Sequence, residues 1–240
     1  MRMDQLLASH YSRKEMKQAL AKGQILVDGK ATRKLSQNVD TDLQKVIIQG
    51  QPAPASKHHY WLLHKPRGVV TANRDAHHAT VFDSLASCDW NPDLYALGRL
   101  DRDTSGLLLL TDNGPLGYQL LHPDAHVSKT YQVVVNGPLH SDLPALFATG
   151  IIFENGYQCR PSQLTILESS AKQSRALIEL AEGKFHQVKK MFLAVGVRVI
   201  SLSRVQFGPF KLDQTLPYGA YRGLTAQEKQ ALIQILEESR

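Results

Sequence analysis

Residues 98–111 read Gly-Arg-Leu-Asp-Arg-Asp-Thr-Ser-Gly-Leu-Leu-Leu-Leu-Thr, a short polar loop that runs directly into an apolar segment. Gly98 and Gly106 permit backbone conformations with positive φ, and the threonine and serine between them can hydrogen-bond the loop onto itself. The four consecutive leucines predict a strand that is buried on both faces. We therefore expect a stiff turn to present Asp101 immediately before a buried strand, and catalytic residues are often found in such loops.

Two arginines, Arg99 and Arg102, flank Asp101 in this loop. We expect them to pair with the carboxylate and to keep it ionised, and also to supply cations for a ligand that carries phosphate. An ionised carboxylate in a fixed position is suited to nucleophilic or base chemistry.

The loop resembles the signature Gly-Arg-Leu-Asp-x-x-Thr-x-Gly-Leu of the RsuA/RluA pseudouridine synthases. Three further segments resemble motifs of that family, in the same order along the chain. Residues 65–68 (Lys-Pro-Arg-Gly) resemble its Lys-Pro-x-Gly motif, and residues 129–131 (Lys-Thr-Tyr) resemble its Lys-x-Tyr segment. Residues 182–191 (Glu-Gly-Lys-Phe-His-Gln-Val-Lys-Lys-Met) resemble the Glu-Gly-x-x-His-Gln-Val-Lys-x-Met motif of the RsuA branch. On these four ordered motifs the chain is identified as a member of that family.

From Tyr60 onward the pattern is rich in strands and contains few helices. Because helices do not follow every strand, it predicts an α+β domain with a largely antiparallel sheet. The resemblance implies the pseudouridine synthase catalytic fold, which is a mixed sheet with a central cleft. Strands are predicted at residues 60–63, 107–110, 131–135, 176–180 and 197–202, and helices at 142–148, 186–195 and 225–238.

Residues 1–50 are predicted to form a small, strongly basic module. Ser12 and Glu15 have the spacing of a capping box and begin a helix that Gly23 ends, and strands are expected at residues 25–27 and 46–48. Seven basic and two acidic residues lie between positions 12 and 34. Such a set is usually a solvated helix face, but the order of elements around Val-Asp-Gly-Lys resembles the αL RNA-binding module that precedes RsuA-type catalytic domains. The resemblance implies phosphate contacts by Arg13, Lys14, Lys17 and Lys22.

The expected division is an αL-type RNA-binding domain at residues 1–50, a linker at 51–58 and a catalytic domain at 59–240. Residues 51–56 (Gln-Pro-Ala-Pro-Ala-Ser) are rich in proline and small side chains. We expect them neither to continue a sheet nor to pack in a core.

The resemblance assigns roles to individual residues. It implies that Asp101 is the essential carboxylate, acting as a nucleophile at the anomeric carbon of the ribose or as a base at the neighbouring carbon. It implies that Tyr131 stacks on the flipped base and assists proton transfer. Lys189 is expected to pair with Asp101, and Lys190 is the competing candidate because adjacent side chains on a helix point about 100° apart. The positions implied to bind substrate are Arg99, Lys65, Leu202 and Arg204.

Two departures from the family pattern put local contacts in doubt. His64 stands where the family usually has asparagine before Lys-Pro-x-Gly, and residues 206–209 (Gln-Phe-Gly-Pro) fit the common pattern only loosely.

The composition indicates the cellular compartment and the charge of the binding partner. The 240 residues are 42% hydrophobic, which is enough for a sizeable core. Two cysteines, no apolar run of membrane-spanning length and no signal-peptide core favour a cytoplasmic protein that does not contact a membrane. We expect the protein to be a monomer. The net charge of +6 favours a polyanionic partner.

The expected activity is therefore the isomerisation of one uridine in ribosomal RNA, without cofactor or metal. The layout is most similar to the small-subunit branch of the family, which implies 16S ribosomal RNA, free or in an assembling subunit. Large-subunit ribosomal RNA and a noncatalytic RNA-binding or ribosome-assembly factor are the alternatives.

Two other classes of enzyme are disfavoured by spacing. The candidate metal ligands are the pairs His58-His59, His77-His78 and His122 with His126, and Asp101 with Asp103 could hold Mg²⁺. Adjacent histidines on an extended chain point to opposite faces, and no Cys or Glu lies at ligand spacing. A serine hydrolase would need a glycine two residues before Ser105, which the chain lacks.

Overall fold

The structure is a computed structural model, and it describes residues 1–55, 58–122 and 127–238. The chain forms two compact units. The first comprises Met1–Tyr60, Thr111–Leu120 and Gly223–Arg240, and the second comprises Trp61–Leu110 and Leu121–Arg222. The division at residues 50 and 58 remains a prediction, and residues 56 and 57 of the predicted linker lie outside the described residues. None of the described helices combines the length and the apolar character that crossing a membrane requires.

The first unit contains a four-stranded antiparallel sheet in the order β2-β1-β3-β4. Ser12 and Glu15 form the capping box that their spacing predicts, and Gly23 adopts a φ of +65° just after the helix. The apolar side of α2 packs on the sheet through Met16 and Ala19. The elements of this unit are α1 Met3–Leu7, α2 Arg13–Ala21, β1 Ile25–Val27, β2 Lys30–Ala31, β3 Val46–Ile48, β4 Gln51–Pro52, α3 Gly114–Leu121 and α6 Ala226–Glu238.

The beginning of the predicted linker belongs to this sheet. Strand β4 pairs with β3 so that Pro52 lies opposite Ile47, and Ala53 packs against the apolar core of the unit. The expectation that these residues neither continue a sheet nor pack in a core was wrong. A proline is tolerated here because β4 is an edge strand, where a missing backbone N–H deprives no neighbour of a hydrogen bond.

A buried polar cluster joins distant parts of the chain in the first unit. The Asn113 side-chain amide donates to Asp40 Oδ2 at 2.9 Å and to the Tyr60 hydroxyl at 2.8 Å, and that hydroxyl donates to the Asp40 carboxylate. Burial, reinforced by the charge of Asp40, raises the pKa of Tyr60. The cluster fixes the segment around Asn113 to the N-terminal sheet.

The second unit is built on a nine-stranded sheet in the order β13-β5-β7-β11-β8-β10-β9, with β12 beside β11 and β6 beside β7. Strand β8 is antiparallel to β10 and β11, whereas β7 and β11 are parallel. The predicted α+β class with a mixed sheet is confirmed. The elements are β5 Tyr60–Lys65, a 3₁₀ helix Val81–Ser84, β6 Tyr95–Ala96, β7 Ser105–Thr111, β8 Lys129–Val135, α4 Leu143–Thr149, β9 Gln163–Glu168, β10 Ser174–Leu180, α5 Gln187–Ala194, β11 Val199–Phe207, β12 Phe210–Lys211 and β13 Tyr221–Gly223.

Strand β7 is buried along its whole length, as its four leucines predict. Leu108 and Leu110 join the core that also contains Leu63 and Phe82. A second apolar core lies between β8, β10 and helices α4 and α5. Strand β9 was not predicted, because it is an edge strand with mostly exposed side chains and carries little periodic signal.

Gly106 is required by the close approach of β11 to β7. It pairs with Arg204, and a Cβ atom at this position would lie 2.3 Å from the Arg204 carbonyl oxygen. Its φ of +114° also belongs to the region that favours glycine. The end of the loop that carries Asp101 is thereby held against β11.

Candidate active site

The segment that follows β5 holds the backbone of the Asp101 loop. Lys65 donates three hydrogen bonds through Nζ, to the carbonyl oxygens of Pro66 (3.0 Å), Asp101 (3.1 Å) and Thr104 (2.8 Å). The Thr104 amide also donates to the Asp101 carbonyl oxygen, which closes the turn. Arg67 donates to the Asp103 carbonyl (2.9 Å), and the Gly68 amide donates to the Arg102 carbonyl (2.7 Å). The Thr71 hydroxyl donates to the Leu100 carbonyl (2.9 Å) and accepts from the Leu100 amide (3.2 Å).

Lys65 was expected to contact substrate, but the structure buries it completely. Its three donors are all occupied by backbone carbonyls, so its contribution is to fix the loop. Burial lowers the pKa of Lys65 to about 8, although the charges of Asp103 and Asp101 oppose this shift.

The depressed pKa of Lys65 makes stability depend on pH. Between about pH 8 and its usual pKa of 10.5 the unfolded chain binds more protons at this residue than the folded chain, so its contribution to the free energy of unfolding rises with pH. We expect the difference in this free energy between wild type and Lys65→Met to move in favour of wild type by about 1 kcal/mol per pH unit in that window. Urea unfolding at pH 7.5, 8.5 and 9.5 measures it. A difference that stays constant across these pH values would refute the assignment.

Asp101 lies against Lys189 from helix α5. Lys189 Nζ donates to Asp101 Oδ2 at 2.8 Å and to Asp103 Oδ1 at 2.7 Å. Burial alone would lower the pKa of Lys189, but its hydrogen bonds and charge interactions with both carboxylates outweigh burial and raise it. Burial acts in the opposite direction on Asp103 and would raise its pKa, but the Lys189 ammonium holds this pKa below its usual value. The neighbouring Lys190 instead lies over the ring of Phe185, with Nζ 5.3 Å from the ring centroid.

His186 is a second neighbour of Asp101 to which the sequence analysis gave no role. Its Nε2 lies 3.6 Å from Asp101 Oδ2, and its backbone is left-handed with φ 54° and ψ 30° just before helix α5. The Glu-Gly-x-x-His motif contains His186, but the spacing of this motif does not show that the imidazole faces Asp101.

The expected pairing of Asp101 with Arg99 and Arg102 was wrong. Within the described residues, Lys189 forms the ion pair with Asp101, and the His186 imidazole lies 3.6 Å from the same carboxylate. Arg102 instead lies 2.8 Å from the imidazole of His78, and Arg99 is exposed. In a tight turn the side chains of neighbouring residues diverge, so sequence adjacency does not bring their charges together.

Tyr131, Leu202 and Arg204 lie on two neighbouring strands. Tyr131 on β8 is half-buried opposite Arg204 on β11. Leu202 and Arg204, which were expected to contact substrate, are buried. Arg204 Nε donates to the Leu107 carbonyl at 2.8 Å, and its Nη2 has no hydrogen-bond partner within the described part of the chain. Arg204 is also close to the start of the Asp101 loop, because a Cβ atom added to Gly98 would lie 4.0 Å from Arg204 Nη1.

The basic residues proposed for RNA contact lie on the solvent side of α2 or, in the case of Lys22, directly after its end. Arg13, Lys14, Lys17 and Lys22 are exposed, whereas Met16 on the opposite side is buried. A groove between α1 and α2 includes Arg13 and Lys17 among its lining residues.

The adjacent histidines that were considered as metal ligands include His58 and His59, which contact a carboxylate. Both His58 and His59 contact Asp112 through Nδ1, at 3.1 and 2.7 Å, so the expectation that they point to opposite faces was wrong. They lie outside any strand, where side chains need not alternate. No group of three or more His, Cys, Asp or Glu with metal-binding geometry occurs among the described residues, and His126 lies outside them.

His64, the departure from the family pattern, contacts the segment before β13. Its imidazole lies 2.7 Å from the Leu216 carbonyl through Nδ1 and packs on the ring of Tyr218 at 4.2 Å between centroids.

The mixed sheet, with a carboxylate in a rigid loop beside a lysine from a neighbouring helix, defines the RNA pseudouridine synthase class. The chain belongs to the RNA pseudouridylate synthase family, whose model matches residues 59–194. The protein is accordingly an RNA pseudouridine synthase, which is an isomerase.

The relatives match nearly the whole chain. An uncharacterized RNA pseudouridine synthase, YtzG, of Bacillus subtilis is 37% identical and matches over 95% of this chain and 96% of its own. The ribosomal small subunit pseudouridine synthase A of Yersinia pestis is 35% identical over 95% of this chain and 96% of its own, and that of Escherichia coli is 33% identical over 97% and 100%. A solved structure described as a pseudouridylate synthase is 29% identical, covers 97% of this chain and 99% of its own, and has a TM-score of 0.67.

Proposed function

We propose that this protein converts one uridine of 16S ribosomal RNA to pseudouridine, with Asp101 as the catalytic carboxylate. The observation that carries the proposal is the 2.8 Å contact between Asp101 Oδ2 and Lys189 Nζ in a loop whose backbone is fixed by Lys65. The small-subunit substrate is supported by relatives named ribosomal small subunit pseudouridine synthase A, which match over 95% or more of this chain.

The reaction is an internal rearrangement. The bond between the anomeric carbon and ring nitrogen 1 breaks, the uracil turns, the same sugar carbon joins ring carbon 5, and the proton on carbon 5 leaves while ring nitrogen 1 gains one. Asp101 acts on the ribose as nucleophile or as base. Lys189 supplies the positive charge beside it, and Tyr131 stacks on the detached base and assists the final proton transfer.

The first unit supports this activity by holding the RNA. Four exposed cations, three on α2 and one directly after it, give a surface that pairs with phosphates and distinguishes little between base sequences. We propose that the protein works as a monomer in the cytoplasm, on free RNA or on an assembling subunit. A reducing compartment suits its two cysteines, Cys88 and Cys159, which are both free.

Tritium release from ribosomal RNA tests the proposal directly. Transcripts of each ribosomal RNA are labelled on carbon 5 of uridine, because that hydrogen leaves only when the new carbon–carbon bond forms. We expect release from the small-subunit transcript alone.

Other outcomes would revise the proposal. Release from the large-subunit transcript would retain the enzyme and change its substrate. Release from neither transcript, even when assembly intermediates are supplied, would leave a noncatalytic RNA-binding factor.

A further inference from the structure

An exposed aromatic ring stands beside the Asp101 carboxylate. Phe185 is 74% exposed and stacks on the imidazole of His186, with centroids 3.8 Å apart and ring planes at 18°. His186 in turn lies 3.6 Å from Asp101 Oδ2. Packing in the apolar core does not account for Phe185, so its position calls for a ligand.

Two lysines of this segment lie over aromatic rings, and one of them lies over Phe185. Lys190 Nζ lies 5.3 Å from the centroid of Phe185 and 5.9 Å from that of Phe153, and Lys184 Nζ lies 5.6 Å from that of Tyr157. A protein partner would instead be expected to meet a continuous apolar patch.

The one carboxylate of this segment is engaged elsewhere. Glu182 accepts hydrogen bonds from the Tyr157 hydroxyl (3.1 Å), the Arg160 amide (3.0 Å) and the Gln187 side-chain amide (2.5 Å). Lys184 and Lys190 therefore keep their charge available for an anionic ligand.

The backbone is strained at the point that orients the two rings. His186 is in the left-handed region, which costs free energy for a residue other than glycine. The hydrogen bonds of Gln187 on either side hold this geometry, because its side chain also accepts from the Lys184 amide at 2.8 Å. The ring pair is thus preorganised.

We propose that the Phe185–His186 stack is a platform on which an unpaired base next to the target uridine stacks, and that Lys190 leaves the face of Phe185 to pair, together with Lys184, with the adjacent phosphates. The inference rests on the proposed function, because it takes RNA as the substrate. Flipping a uridine toward Asp101 removes the stacking partner of its neighbour. An aromatic face flanked by cations replaces that partner for any base, since every base has a π face.

Equilibrium binding to two single-stranded probes tests the platform. One probe is a fluorescently labelled 12-mer of uridine, which stacks little on itself, and the other is a 12-mer of the same charge whose residues are abasic. We expect Phe185→Ala to raise the Kd for the uridine 12-mer about tenfold and to leave the Kd for the abasic 12-mer unchanged. Phe185→Tyr should bind both probes like wild type.

Two further variants separate the contributions. Leu193→Ala removes an exposed apolar side chain from helix α5, which follows the platform, and should change neither Kd. Lys190→Gln should weaken both probes equally, because it removes a phosphate contact.

The outcomes that overturn the platform are an equal loss on both probes or no loss on either in Phe185→Ala. Binding is measured without turnover, so these outcomes are independent of tritium release. Absence of release by the wild-type protein would overturn the proposed function and leave the binding result readable.

Discussion

We expect Asp101→Asn to abolish tritium release, lowering the rate by about 10⁴-fold or more, while RNA affinity stays close to that of wild type. Asparagine has nearly the same shape but can act neither as a nucleophile nor as a base on the ribose. The loop is held through its main chain by Lys65, Gly68 and Thr71, so the substitution leaves its position unchanged. Single-turnover release and filter binding, measured on the same RNA, separate the two effects.

Asp103→Asn is the matched control. Asp103 also accepts a hydrogen bond from Lys189, at 2.7 Å, but its side chain is 61% exposed. Exposed ion pairs contribute little, so we expect activity within about threefold of wild type. If Asp101→Asn retained more than a tenth of wild-type activity, or if Asp103→Asn lost as much as Asp101→Asn, Asp101 would not be the catalytic carboxylate.

Gly106→Ala has the largest expected effect on stability. The new Cβ would stand 2.3 Å from the carbonyl oxygen and 2.5 Å from the amide nitrogen of Arg204, and both are backbone atoms of a central strand. Neither strand can yield without breaking their pairing, and the φ of +114° adds strain for a side chain. We expect the free energy of unfolding to fall by about 3 kcal/mol or more.

Gly114→Ala is the control for this substitution. Gly114 begins helix α3, and a Cβ there meets no atom within 4 Å, so alanine should leave stability unchanged or raise it slightly. Urea unfolding measures the free energy of unfolding of each variant that can be purified. For a variant that cannot be purified, the midpoint of thermal unfolding is measured in lysate. A midpoint for Gly106→Ala within 2 °C of wild type would show that β7 and β11 do not pair as described.

The elements with strong local signals could be predicted from the sequence. Three features depend only on residues that are close in sequence, so they can be predicted without tertiary information. They are the capping box at Ser12, the glycine that ends α2 and the apolar run in β7. Helix geometry predicts that only one of Lys189 and Lys190 faces Asp101. In the structure, Lys189 contacts Asp101.

The contacts inside loops and between distant segments could not be predicted. Arg99 and Arg102 adjoin Asp101 in sequence, but the turn sends them elsewhere. Residue type suggests that Lys65 and Arg204 are surface cations, and only the folded structure shows that backbone carbonyls accept hydrogen bonds from Lys65 Nζ and from Arg204 Nε. Residue type and spacing carry no information about such burial.

The parallel pairing of β7 with β11 has a consequence for how the protein is made. The hydrogen bond from Arg204 to Leu107 joins residues that are 97 positions apart. At typical rates of translation, about 5 to 20 s pass between the synthesis of these two residues. Until β11 emerges, the leucine-rich strand β7 has an open edge, and the loop ending at Gly106 lacks the strand against which it rests. Premature termination in this interval therefore yields chains prone to aggregation rather than partly active enzyme.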